Sequence, residues 1–320
     1  MTNIQQLSPY AQAPLSRLKG SLSHRVSALY LPEPELYFDK VQVWLQVNIT
    51  RKQEQILGSL CRPKPGRNLK RARAIKKRMS FHPEYRCRVH LFCPTREAIE
   101  YLIQLNQGNP VIINGLELAC DWAGIDHRAA HEFLHKHMVR KYRRGQEVKL
   151  IMKKSEARYD GAPRKRSLTV LYLDDCCRTT GELDCLHFEW KLKTRALVQS
   201  IGVNKLEDLI SFDHVRFWRE RFSRYLAFYR VNYERLGRLV RNRATGSRTQ
   251  KPQYYERQCG AFRYRVNLDS RLGFALACQH DDVQSLIACY GMSTLHPSLE
   301  PVAVLVQGIN YTDVSLVAGA

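Results

Sequence analysis

Four residues of this chain, Asp121, Tyr172, His187 and Glu189, are of the types that together perform phosphoryl transfer. A tyrosine hydroxyl that sheds its proton is a nucleophile for phosphorus. Carboxylates and an imidazole hold a divalent cation, Mg²⁺ or Mn²⁺, which takes up the charge that a phosphate must lose. Their spacing favours convergence. In LELACDW, alternation places Leu116, Leu118, Cys120 and Trp122 on one face of a strand and Glu117, Ala119 and Asp121 on the other. In CLHFEWKL, Leu186, Phe188, Trp190 and Leu192 point one way, and His187, Glu189, Lys191 and Lys193 the other. In SLTVLYLDD, Leu168, Val170, Tyr172 and Asp174 form one set, with Thr169, Leu171 and Leu173 opposite. If the three strands are neighbours, the phenol, the imidazole and the acids meet on the open face of a sheet. Taken singly, each has a plainer reading: a strand acid is usually solvated, and a strand tyrosine is usually half-buried packing.

The elements that must position these residues alternate as strands and helices. Asp39–Thr50 reads as a strand with Val41, Val43, Leu45 and Val47 on one face. Residues 85–93 read as a second strand, Thr95 caps a helix that stops at Gly108, and 111–122 hold one or two strands. Asp126 opens a histidine-rich helix that runs to Gly145, Asn204 a short helix, and Asp213 a long one reaching about Arg241. This pattern predicts an α+β fold, a central antiparallel or mixed sheet with helices packed on one face. Residues 1–35 read as an irregular leader, 36–243 as the principal domain, 241–253 as a linker, and 254–320 as a small C-terminal region of uncertain fold.

Charge narrows the partners. Fifty-one Lys and Arg against 30 Asp and Glu give a formal net charge of +21 over 320 residues. Such a chain needs an anionic partner, and nucleic acid rewards spread cations better than an anionic membrane or an acidic protein. Residues 61–80 are dense in Lys and Arg and contain no acid, so Lys70, Arg71 and Arg73 are candidate contacts to a DNA backbone. No apolar run suits a transmembrane helix and the first residues lack a signal-peptide pattern, which predicts a cytosolic protein without a membrane partner. The ten cysteines contain no CxxC pair and read as reduced thiols. Cys176, Cys177 and Cys185 lie close in sequence, but their spacing is not that of a zinc ribbon.

From Glu117 to about Trp218 the chain resembles the gene II-type replication initiators of filamentous phages (inoviruses), part of a wider group of rolling-circle initiators. Four pieces occur in the family's order: LELACDWAG, PRKRSLTVLYLDD, CLHFEWKLKTRALVQSIGV and NKLEDLISFDHVRFW. The third, a strand glutamate followed by Lys-Thr-Arg and a helix start, is the most specific. The resemblance implies that Tyr172 is the nucleophile of a site-specific DNA nicking and joining reaction. It implies that Asp121 and Glu189 are metal ligands, with His187 as an optional one. Arg164, Lys165 and Arg166 match the basic segment leading into the tyrosine strand, and Lys191, Lys193 and Arg195 join them as DNA-binding residues. Where family members carry a lysine two residues after the tyrosine, this chain has Asp174. Its role then falls to Lys191, Lys193 or Arg166, or Asp174 becomes a further ligand. The implied partners are origin DNA, both supercoiled duplex and single-stranded, and a host helicase and polymerase. The implied location is the cytoplasm of a bacterial host.

Two other readings compete. His131, Glu132 and His135 spell HExxH, the zinc-binding signature of metalloproteases, without the longer extension of one of its families. A non-catalytic DNA-binding protein would use the charge and the aromatic residues of 217–233 alone. Tyr225, Tyr229 and Tyr233 recur every four residues there and are the second choice for an active tyrosine.

Overall fold

The computed structural model describes residues 28–63, 71–140, 148–151, 157–160, 167–232, 234 and 299–309. In chain order its elements are β1 (Ala28–Leu31), β2 (Glu35–Leu45), α1 (Arg51–Leu60), β3 (Ala72–Lys76), β4 (Cys87–Phe92), α2 (Arg96–Asn106), β5 (Val111–Trp122), α3 (His127–His137), β6 (Met138–Arg140), β7 (Val148–Ile151), β8 (Ala157–Asp160), β9 (Ser167–Cys176), β10 (Leu183–Leu192), α4 (Arg195–Gln199), α5 (Leu206–Ile210), α6 (His214–Tyr225), β11 (Leu226–Val231), β12 (Leu299–Pro301) and β13 (Ala303–Val306). The fold is α+β, as the alternation of strands and helices predicts.

Contacts divide the chain into two compact units. The first comprises Pro32–Arg128 and Glu147–Trp218. Its centre is an eight-stranded sheet in the order β3-β4-β2-β5-β10-β9-β8-β7. Every neighbouring pair in it is antiparallel. One face is apolar: Leu116, Leu118, Trp122, Leu186, Phe188 and Trp190 are all almost wholly buried. The segment after α5 covers this face with rings. Phe212 packs tilted against Phe38 and His214 meets it edge-on, Phe217 meets Trp190 edge-on, and Trp218 packs on Phe188. Burial of several large rings at about 25 cal/mol per Å² helps to anchor this side of the sheet.

Local sequence explains the helix starts. Thr50 closes a capping box with Gln53 at α1, and the Thr95 side chain accepts from the Ala98 amide at α2. The threonine of Lys-Thr-Arg acts in the same way. Thr194 accepts from the Leu197 amide and turns the chain out of β10 into α4.

The second unit comprises Met1–Leu31, Ala129–Gln146 and Arg219–Ala320. Among its described residues, β1 pairs in parallel with β13, and β11 lies between β12 and β6 in an antiparallel sheet.

The structure corrects two helix lengths. The histidine-rich helix ends at His137 and the chain continues as β6. The long helix ends at Tyr225, and LAFYRV forms β11 with Leu226 and Phe228 buried. Here a β-favouring aromatic run with a partner strand overrides the helical spacing. Tyr229 therefore stands on a strand, out of helical register with Tyr225, and Tyr233 lies outside the described residues.

Candidate active site

The central strands bring the four residues of interest together. His187 on β10 is opposite Asp121 on β5 and opposite Tyr172 on β9, so one row across three strands carries all three. Glu189 lies two residues along β10 on the same face, between Ala119 and Val170. The face is not open: Asp121, His187 and Glu189 are each at most 3% exposed, while Tyr172 is partly exposed. The rings of Tyr172 and His187 are 4.5 Å apart between centroids.

His187 joins the two acids. Its Nδ1 is 2.5 Å from Asp121 Oδ1 and its Nε2 is 3.1 Å from Glu189 Oε1. Burial alone would lower the imidazole's pKa, but Asp121 and then Glu189 outweigh it and raise it to about 9. Glu189 is held well below the usual carboxylate range, burial being outweighed by His187 and Lys191. These contacts are close but off the hydrogen-bond line. Both His187 ring nitrogens, Asp121 Oδ1 and Glu189 Oε2 are buried without a well-formed hydrogen bond. Ion pairs hold these atoms instead, His187 to both acids and Lys191 to Glu189 Oε2.

Three residues that sequence reading passed over complete the centre. Asp39 is the extra residue where the β2–β5 register shifts between Phe38 and Lys40. The bulge turns its carboxylate onto the polar face. There its oxygen and one donor atom each from His187 and Glu189 lie within 4.8 Å of one another. Arg178, in the β9–β10 turn, forms an ion pair with Asp39 and donates from Nη2 to Tyr172 Oη at 3.0 Å. The same nitrogen is 3.6 Å from Asp174 Oδ2. Tyr37 donates to Asp121 Oδ2 at 2.8 Å. The Tyr172 phenol is pushed well above its ordinary pKa, first by burial and then by the charges of Glu189, Asp174 and Asp121. It is a neutral hydroxyl in this setting.

A second group lies beside the first. Cys177 and Cys185 join Asp121 with their ligand atoms within 4.8 Å of one another, all three buried. The Cys177 thiol is lowered to about 6, chiefly by a hydrogen bond from Cys185, whose own thiol is raised.

The cations are distributed unevenly. Lys191 Nζ bridges Glu189 Oε2 at 2.6 Å and Glu117 Oε2 at 3.0 Å, and Lys40 meets Glu117 at 3.3 Å. Lys193 and Arg195 are exposed where β10 passes into α4. Arg73 is exposed on the edge strand β3, and Arg71, just before it, is half-buried. Lys70, Arg164, Lys165 and Arg166 lie outside the described residues. In α3, His131 is buried, Glu132 is exposed, and the His131 and His135 rings stack at 6.2 Å. Among the described residues, the groups of three or more His, Cys, Asp or Glu placed to share an ion are the two above, and neither includes His131 or His135. Nor, among those residues, is any helix long and apolar enough to cross a membrane.

No protein-family model matches the chain, and no curated protein matches it in sequence. Among solved structures it is similar to a rolling circle replication initiator protein from Geobacillus stearothermophilus. The identity is 13%, the match covers 62% of this chain and 87% of that one, and the TM-score is 0.37. A likeness at that level decides nothing about activity.

Proposed function

We propose that the chain is a rolling-circle replication initiator that nicks and rejoins one DNA strand, with Tyr172 as its nucleophile. The observation that carries this reading is the row Tyr172–His187–Asp121, with Glu189 and Asp39 beside it. A phenol beside an imidazole and buried carboxylates suits attack on a phosphodiester, and the charge of +21 suits a DNA substrate.

The donor set fits a hard divalent cation, Mg²⁺ or Mn²⁺, because it offers two carboxylates and a ring nitrogen with ligand atoms within 4.8 Å of one another. Asp39, His187 and Glu189 would hold it. Asp121 stands on the other ring nitrogen, where a carboxylate fixes the tautomer and orientation of a ligating histidine. The bound cation supplies neutralisation of the phosphate's charge.

The chain's own residues do the rest. Tyr172 Oη forms a bond to phosphorus, the bond from phosphorus to the 3′ oxygen breaks, and the phenol proton ends on that 3′ oxygen. The 5′ phosphate stays on the enzyme as a phosphotyrosine ester, and a host polymerase extends the freed 3′ hydroxyl while a helicase opens the duplex. In the reverse step a 3′ hydroxyl attacks the ester and the proton returns to Tyr172, so joining needs no nucleotide cofactor. Arg178 supplies the cation beside the nucleophile where Asp174 replaces the family's lysine. Its hydrogen bond stabilises Oη as the proton leaves, and Asp39 and Asp174 brace it. Lys193, Arg195, Arg71 and Arg73, with Lys70 and Arg164–Arg166, would hold the DNA backbone, and Lys191 orients Glu189. Assignment to the filamentous-phage group, acting in the host cytoplasm, rests on the motifs between Glu117 and Trp218.

The test incubates the purified chain with supercoiled DNA carrying the origin of its own replicon, with Mg²⁺ or Mn²⁺. Open-circular product with a protein-linked 5′ end is expected. Origin binding without nicking under any metal would instead favour the non-catalytic DNA-binding reading.

A further inference from the structure

We propose that Cys177, Cys185 and Asp121 form a second cation site, for a zinc-class ion, that stands behind the tyrosine centre and holds Asp121 against His187. It is separate from the Mg²⁺ or Mn²⁺ site in its donors and does not depend on the strand-nicking reading.

The placement is a product of the β9–β10 hairpin. The Cys177 amide donates to the Glu182 carbonyl at 2.8 Å, and the Gly181 amide donates to the Cys177 carbonyl at 2.9 Å, closing a tight turn. Gly181 takes φ +77°, which glycine adopts without strain. On the return strand Cys185 is opposite Asp174 and two residues before His187. Its side chain therefore shares the polar face with His187. Asp121, opposite His187, reaches the same place from β5. One hairpin and the sequence-distant strand β5 thus deliver two thiols and a carboxylate to one buried point, with ligand atoms within 4.8 Å of one another.

The chemistry of the donors separates the two sites. Sulfur ligands select zinc and similar soft or borderline ions, whereas Mg²⁺ and Mn²⁺ prefer oxygen. Three protein donors suffice, because water commonly takes the fourth position of such an ion. Binding releases the thiol protons to solvent and leaves the sulfurs unoxidised. Asp121 is shared between this group and His187 Nδ1, at 2.5 Å. An ion on the thiols would then fix the carboxylate that fixes the ring.

The test uses the full chain, reduced and freed of metal with a chelator. Co²⁺ is titrated in and read by its thiolate-to-metal charge-transfer absorption, then displaced with Zn²⁺. One equivalent with that band is expected. Zn²⁺ should also protect Cys177 and Cys185 from alkylation in the wild-type chain, mapped peptide by peptide. The Cys177→Ser and Cys185→Ser variants should bind Zn²⁺ at least about 100-fold more weakly. A folded wild-type chain with neither band nor protection would overturn the proposal. So would a band that survives in the double variant, or a Cys177–Cys185 disulfide that forms while Zn²⁺ is present. None of these readouts involves DNA, so a chain that never nicks leaves their meaning unchanged.

Discussion

Tyr172 faces His187 directly across the β9–β10 strand pair, with ring centroids 4.5 Å apart. A one-residue slip of register would send one of them to the apolar face, so the pairing itself places the phenol beside the acids. The site's geometry is thus a property of the sheet's hydrogen-bond ladder more than of any loop.

Removing the hydroxyl tests the role of the phenol. Tyr172→Phe should lower nicking by more than about 1,000-fold while origin binding persists. Stability should fall by only about 1–3 kcal/mol, the worth of the hydrogen bond from Arg178. Nicking assays, filter binding and urea denaturation on one preparation separate these effects.

Arg178 holds both the Tyr172 phenol and a buried acid. Arg178→Ala would leave Asp39, whose side chain is 8% exposed, without its ion pair. Breaking such a pair from one side costs about 3–5 kcal/mol. Arg178→Lys should lie between wild type and Ala, because an ammonium cannot serve Asp39 and Tyr172 Oη from two rigid nitrogens. Urea midpoints of the three proteins check the order.

A cation on Asp39, His187 and Glu189 should stabilise the fold by mass action. At Mn²⁺ about 100-fold above its dissociation constant the gain is about 2.7 kcal/mol. Glu189→Gln and Asp39→Asn should lose that increment, measured as the shift in Tm with added Mn²⁺.

His214 predicts acid lability. Burial lowers its pKa to about 4 from 6.5, against the pull of Asp213. Between those values the unfolded chain binds a proton that the folded chain does not. Stability is therefore complete above pH 6.5 and is lost as pH falls toward 4, by on the order of 3 kcal/mol. His214→Phe, which keeps a ring against Phe38 and Phe212, should flatten this part of the profile. Urea unfolding of both proteins at several pH values in that window isolates the contribution.

Much of this arrangement was legible in the sequence because β-strand alternation is local. The faces of LELACDW, CLHFEWKL and SLTVLYLDD follow from period two, and they place Asp121, His187, Glu189 and Tyr172 together once the strands are neighbours. Asp39 was hidden for the same reason. It shares parity with Val41, Val43 and Leu45, so strict alternation assigns it to the core, and only the bulge before Lys40 turns it to the acids. Arg178 and Cys177 lie in or beside a turn, where no periodicity speaks for a side chain's direction. Burial of the polar face was also unreadable, since it depends on what the whole sheet packs against. The helix expected to reach about Arg241 failed because LAFYRV has a strand partner in β6, a tertiary contact that no local spacing reveals.

On the proposed mechanism, Tyr172 Oη carries the covalent link to DNA. The most direct measurement traps the protein–DNA adduct on origin DNA with Mn²⁺, digests both polymers, and identifies the modified peptide by mass spectrometry. A nucleotide phosphate on the peptide containing Tyr172, with no adduct from Tyr172→Phe, is the expected result. An adduct on the peptide containing Tyr225 or Tyr229, or one that persists in Tyr172→Phe, would contradict it.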